Sequence, residues 1–133
     1  MAQNDKLSVT MRRTPLGRAK GLGSAKSGLH HWWAERVTSV ALIPLTLWFV
    51  FSVLALAGHS QADVAHWAGQ PLVAVLLIAF IIASFHHAQL GLQVVLEDYL
   101  HDEGQRLIWM MAMKAIVWLL GLAALLSVLK LAI

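Results

Sequence analysis

Cysteine is absent from this chain. Disulfides, zinc–thiolate sites and iron–sulfur ligation are therefore excluded within it, and any metal must be held by histidine or carboxylate or arrive inside a cofactor. Charge is nearly as scarce. Asp, Glu, Lys and Arg make up 13% of the 133 residues, against about a quarter in a soluble domain. No phosphate loop, nucleophile triad, metalloprotease motif, internal repeat or low-complexity tract is visible. The length suits one domain rather than two. What fills the chain instead is apolar: 59% of residues are hydrophobic and the mean hydropathy is +0.68. A membrane protein follows from composition alone.

The few charges are unevenly placed. Lys6, Arg12, Arg13, Arg18, Lys20 and Lys26 precede the first apolar segment, opposed only by Asp5. Residues 1–28 read as a flexible basic arm, rich in Gly, Ser, Thr and Ala, and they fit a secretory signal peptide poorly. The asymmetry is an orientation signal rather than a nucleic-acid surface. Residues 29–133 read as an all-α domain of three transmembrane helices, at about 33–57, 71–99 and 106–131, each near the roughly 20 residues that cross a bilayer core. Trp32 and Trp33 suit the headgroup level ahead of the first. Pro44 is expected to kink that helix, and Pro71 suits a first-turn position in the second. Gly58 to Gln70 is expected to be a polar connection without Lys or Arg, and His101 to Gln105 a tight loop. A basic arm before a first loop free of Lys and Arg puts the N-terminus on the cytoplasmic or matrix side, with the loop after Tyr99 on that same side. The short arm, without a long Arg/Ser-rich presequence, leans towards a bacterial inner membrane rather than a mitochondrial one.

Chemistry concentrates in the second segment. His86 and His87 sit within residues 71–96, which carry no formal charge, and an ionisable side chain at that depth is a functional candidate by default. At about 100° per residue the two histidines point to different faces. His87 shares its face with Ser84, Gly91 and Asp98; His86 shares its face with Gln93 and Glu97. Gly91, one turn beyond His87, leaves room for a flat ring or a neighbouring helix. An axial haem ligand and a buried histidine hydrogen-bonded across the bundle both satisfy this spacing. Tyr99, the one tyrosine of the chain, follows Glu97 and Asp98 at the end of the segment, about 18 Å along the axis from His87. It suits either an aromatic-belt anchor or a hydroxyl that hydrogen-bonds a quinone carbonyl from apolar surroundings. Arg36 is the last basic residue before 69 without Lys or Arg. It suits snorkelling to phosphates or pairing with a buried carboxylate, such as a haem propionate. Lys114, about two turns into the third segment, is accounted for by snorkelling.

Two stretches carry a family resemblance: GLHHWWAERVTSVALIPL, residues 28–45, and HAQLGLQVVLEDY, residues 87–99, with Gly four residues after His and Asp-Tyr at its end. With the order and length of the helices, they make residues 28–133 resemble the hydrophobic membrane anchors of succinate dehydrogenase, respiratory complex II. The resemblance implies packing with a second three-helix anchor, the cytochrome b subunit, and docking of iron–sulfur and flavoprotein subunits. It implies a shared haem b ligated through its iron by His87, with His30 and Arg36 near the propionates, and ubiquinone held by Tyr99 and Asp98. The implied function is electron transfer from succinate to quinone in the respiratory chain and the tricarboxylic acid cycle. The chain is then a non-catalytic component of the enzyme. A fumarate reductase anchor, running the same chemistry in reverse, is the alternative within the class. A small transport or proton-relay protein using His86, His87 and Glu97 is the alternative outside it, and a structural assembly protein without cofactor contact is a third.

Overall fold

The computed structural model describes residues 26–133. Most of the basic arm expected at 1–28 lies outside the described residues. Four helices follow: α1 Lys26–Ala55, α2 Gln61–Ala68, α3 Pro71–Tyr99 and α4 Glu103–Ala132. No strand occurs among the described residues. In hydrocarbon every backbone N–H and C=O needs an internal partner, and a long apolar segment satisfies that need only as a helix. Three of the helices are long and apolar enough to cross a membrane: residues 28–55, 71–99 and 103–132.

The ends of these elements follow local chemistry. Helix α1 begins seven residues ahead of the expected Trp33, so the tryptophan pair and Arg36 are helical rather than part of an approach to the helix. Pro44 lies inside the uninterrupted α1. The first connection is not plain loop. Gly58, at φ 85°, turns the chain after α1 in a conformation that favours glycine. Helix α2 then starts on a capping box. The Asp63 backbone N–H donates to Ser60 Oγ at 3.2 Å, and Asp63 Oδ2 accepts from the Ser60 N–H at 3.1 Å and from its hydroxyl at 2.6 Å. These bonds favour the carboxylate, the hydroxyl's bond most, and hold the Asp63 pKa below its ordinary value. Pro71 opens α3 at its first turn, where a missing N–H is harmless. Asp102 caps α4 by accepting from the Gln105 N–H at 2.8 Å, so Glu103, Gly104 and Gln105 are helical rather than loop.

The three long helices form an open layer rather than a closed triangle. Helix α3 lies in the middle, touching α1 on one side and α4 on the other, and α1 does not approach α4. Phe49 stacks on Phe80 at 4.8 Å while Thr38 meets His87, so α1 and α3 run antiparallel. The core sits at the end that holds α2: Ala68, Val73, Ala74, Leu77 and Val128 are buried together, with Trp48, Phe49, Trp67, Ile78 and Ile81 against them. Trp48 stacks on Trp67 at 6.0 Å. Gly69 brings α2 close to the end of α4, for a Cβ there would stand 2.5 Å from the Leu131 carbonyl oxygen. The opposite end, carrying Tyr99 and the start of α1, has no comparable core among the described residues. Large apolar side chains such as Val40, Ile43, Leu47, Phe51, Leu119 and Leu122 are exposed, as lipid-facing or partner-facing helices require.

Candidate functional site

The inner stripe of α1 is read from its half-buried positions: His31, Ala34, Glu35, Thr38, Ser39, Ala41, Leu42, Leu45, Trp48 and Phe49 recur every three or four residues. That periodicity turns one face of a helix towards its neighbour. Thr38 on this stripe meets α3. Its Oγ1 lies 3.0 Å from His87 Nδ1, and both groups are half-buried. The same hydroxyl is 2.8 Å from the Ala34 carbonyl oxygen and 3.0 Å from that of Glu35. No other side-chain hydrogen bond joins α1 to α3 among the described residues. His87 Nε2 has no partner there, and it is not among the closed-off polar atoms. The one closed-off and unbonded side-chain atom of the described residues is His31 Nε2, on the same stripe of α1 two turns before Thr38.

The adjacent histidine goes elsewhere. His86 is exposed and borders an apolar groove between α3 and α4, with Gln89, Phe85, Trp118, Gly121 and Leu122 around it. At Gly121 an added Cβ would meet the Phe85 ring at 3.4 Å, so α4 approaches α3 closely beside His86. The two histidines thus serve two different interfaces, as their 100° separation requires.

The remaining candidates spread towards the open end. Tyr99 closes α3 and is 79% exposed, with Asp98 and Glu97 exposed before it. Gln93 Nε2 donates to Glu97 Oε1 at 2.9 Å, so that carboxylate is already engaged two residues before the end of the helix. His30 is exposed in the first turns of α1. It lies about 12 Å along the axis from Thr38, towards the end that runs beside Tyr99. Arg36 is about 200° around α1 from Thr38, and its guanidinium rests 5.3 Å from the Trp32 ring centre. The structure therefore brings His87 to Thr38. It does not bring Arg36 to His87 within this chain, because Arg36 faces outward from the layer.

No group of three or more metal-ligating side chains gathers among the described residues. Haem iron does not need one, since a single imidazole on one face suffices when another protein group takes the other. His87 fits that requirement: its Nδ1 is engaged, its Nε2 is unpartnered, and it lies in an apolar span. Sequence reasoning did not find Thr38. A threonine in an apolar helix gives no local signal, and its role depends on the register between α1 and α3.

Residues 10–122 match a family described as succinate dehydrogenase/fumarate reductase transmembrane subunit. The chain is 39% identical over 89 residues to the succinate dehydrogenase hydrophobic membrane anchor subunit of Rickettsia bellii, covering 66% of this chain and 70% of that protein. It is 37% identical over 86 residues to the protein of the same name from Paracoccus denitrificans, covering 65% and 67% respectively. No solved structure gives a match.

Proposed function

The chain belongs to the succinate dehydrogenase/fumarate reductase transmembrane subunit family, and from that premise we propose that this membrane anchor supplies one axial ligand of a haem b and part of a ubiquinone site. The relatives at 30–39% identity are named as anchors of succinate dehydrogenase rather than of fumarate reductase, which favours the succinate-oxidising direction. The observation that carries the reading is the layout of α3. One unbroken helix holds His87 inside the apolar span, with Nε2 unpartnered, and Tyr99 exposed at its end.

In this reading His87 would hold the haem iron through Nε2, together with a histidine of a second anchor, the cytochrome b subunit. Bound there, a haem would supply a one-electron store. His30 lies towards the same end as Tyr99, and Arg36 presents its charge on the outer face of α1, where a propionate held between two subunits would meet it. Tyr99 donates its hydroxyl hydrogen to a quinone carbonyl oxygen while its ring stays in apolar surroundings. Asp98 beside it accepts or relays protons at the water-facing end. Electrons reach the quinone from succinate through the flavoprotein and iron–sulfur subunits, and reduction consumes two electrons and two protons. The chain performs no reaction alone. The membrane is a bacterial inner membrane, with the basic arm on the cytoplasmic side.

The test is to recover the complex in mild detergent through a tag on the arm and take a reduced-minus-oxidised visible spectrum. A b-type haem signal accompanied by a flavoprotein supports the reading. A colourless preparation without soluble partners overturns it and favours a small relay or transport protein.

A further inference from the structure

The contact between Thr38 and His87 fixes more than a position. A hydroxyl has one hydrogen to donate. Thr38 Oγ1 stands 2.8 Å from the Ala34 carbonyl oxygen, one helical turn back, and 3.0 Å from that of Glu35. A carbonyl oxygen can only accept, so the Thr38 hydrogen is committed to the backbone of its own helix. The oxygen then faces His87 Nδ1, 3.0 Å away, with lone pairs only. Nδ1 must be the donor. A neutral imidazole carries one N–H, so His87 is held as the Nδ1–H tautomer, and the lone pair falls on Nε2.

Resting on the haem reading above, we propose that Thr38 is the positioning residue of the His87 ligand: it selects the tautomer, fixes the ring's rotation and increases the electron donation of Nε2. A ligating histidine ordinarily donates its other N–H to an oxygen, and loss of that partner costs about 10- to 100-fold in metal affinity or activity. Threonine here offers a neutral oxygen, as a backbone carbonyl or a water does in the same place. Its acceptor strength comes from the hydroxyl's own bond to the helix backbone, since chained hydrogen bonds polarise one another. Helix α1 thereby ties the ligand on α3 to the neighbouring helix through the one side-chain hydrogen bond between them among the described residues.

The test compares Thr38→Val, Thr38→Ser and His87→Ala in the whole complex, purified with its flavoprotein, by haem content, reduced-minus-oxidised spectrum and redox titration of the haem. In Thr38→Val the imidazole loses its acceptor and donates less to iron, so the ferric state loses more than the ferrous state. The expected result is a ferric-to-ferrous ratio about tenfold lower at a given potential, which is about 59 mV more positive for a one-electron couple, with haem lost more readily on dilution in detergent. Thr38→Ser keeps the hydroxyl and should restore the native potential, which a merely space-filling role would not. A native potential and haem retention in Thr38→Val, alongside loss of the haem in His87→Ala, overturns the positioning role and leaves the ligand. A native low-spin spectrum in His87→Ala overturns the ligand reading itself. Should Thr38→Val not assemble, Thr38→Ala removes the same oxygen without adding bulk and is judged by the same potential.

Discussion

At the scale of single residues, two neighbours in sequence have opposite fates. His87 turns to α1 and hydrogen-bonds Thr38; His86 turns to the groove between α3 and α4. With Nε2 of His87 as the iron ligand, His87→Ala should abolish or alter the low-spin haem spectrum, while His86→Ala should leave it in place. Visible and electron paramagnetic resonance spectra of the two purified variants check this, and the reverse pattern moves the ligand to His86. Tyr99 is a separate case, because its exposure at the end of α3 leaves its hydroxyl free for a ligand or for headgroups. Tyr99→Phe keeps the ring and removes one hydrogen bond to the substrate. Quinone reduction should slow by about 10-fold, as the loss of one such bond worth about 1.5 kcal/mol predicts, while succinate oxidation by a soluble artificial acceptor continues. Equal loss of both rates would mean that Tyr99 supports assembly rather than quinone binding.

At the scale of elements, the long helices were legible because hydrocarbon leaves a long apolar segment no other way to satisfy its backbone. Pro71 and the acidic end at Tyr99 marked both limits of α3. Their counterparts elsewhere were weaker. Helix α1 runs back to Lys26 because Leu29 to Arg36 contains no helix breaker, and an aromatic pair at the headgroup level does not interrupt a helix. Helix α2 was hidden in a polar connection, though its signal was present: Ser60 three residues before Asp63 makes a capping box. The close approach of Gly69 to α4 had no such signal, for it depends on where Leu131 comes to rest. Gly69→Ala should destabilise the chain by about 1–3 kcal/mol, since the obstructing atom is a backbone carbonyl oxygen rather than a flexible side chain. A lowered melting temperature of the detergent-solubilised complex is the expected result, with the haem spectrum below the transition unchanged because Gly69 lies at the end away from Tyr99.

At the scale of the whole molecule, the layer is tight at one end and open at the other. The α2 end has the buried cluster and the stacked tryptophans; the Tyr99 end has exposed side chains on α1, α3 and α4. The three spans among the described residues put the start of α1 and the end of α4 on opposite sides of the membrane, and the core-bearing end lies with the C-terminus. In the orientation proposed above, the basic arm, opposite a first loop free of Lys and Arg, lies in the cytoplasm. A tag on the N-terminus should therefore resist protease in right-side-out vesicles, and a tag on the C-terminus should be cut. The opposite pattern reverses the orientation and moves the Tyr99 end to the far side.

The sequence by itself determined the membrane class, the three spanning helices and the residue types open to ligand chemistry. Those properties follow from hydrophobic length, charge placement and 3.6-residue periodicity, all of which are local along the chain. Only the tertiary structure decided which histidine faces which helix, that Arg36 looks away from His87, and that Thr38 Oγ1 lies within hydrogen-bond reach of His87 Nδ1. These depend on the register between helices, which brings together residues 49 positions apart, is set by side-chain packing across the layer and leaves no trace in a single helix's pattern.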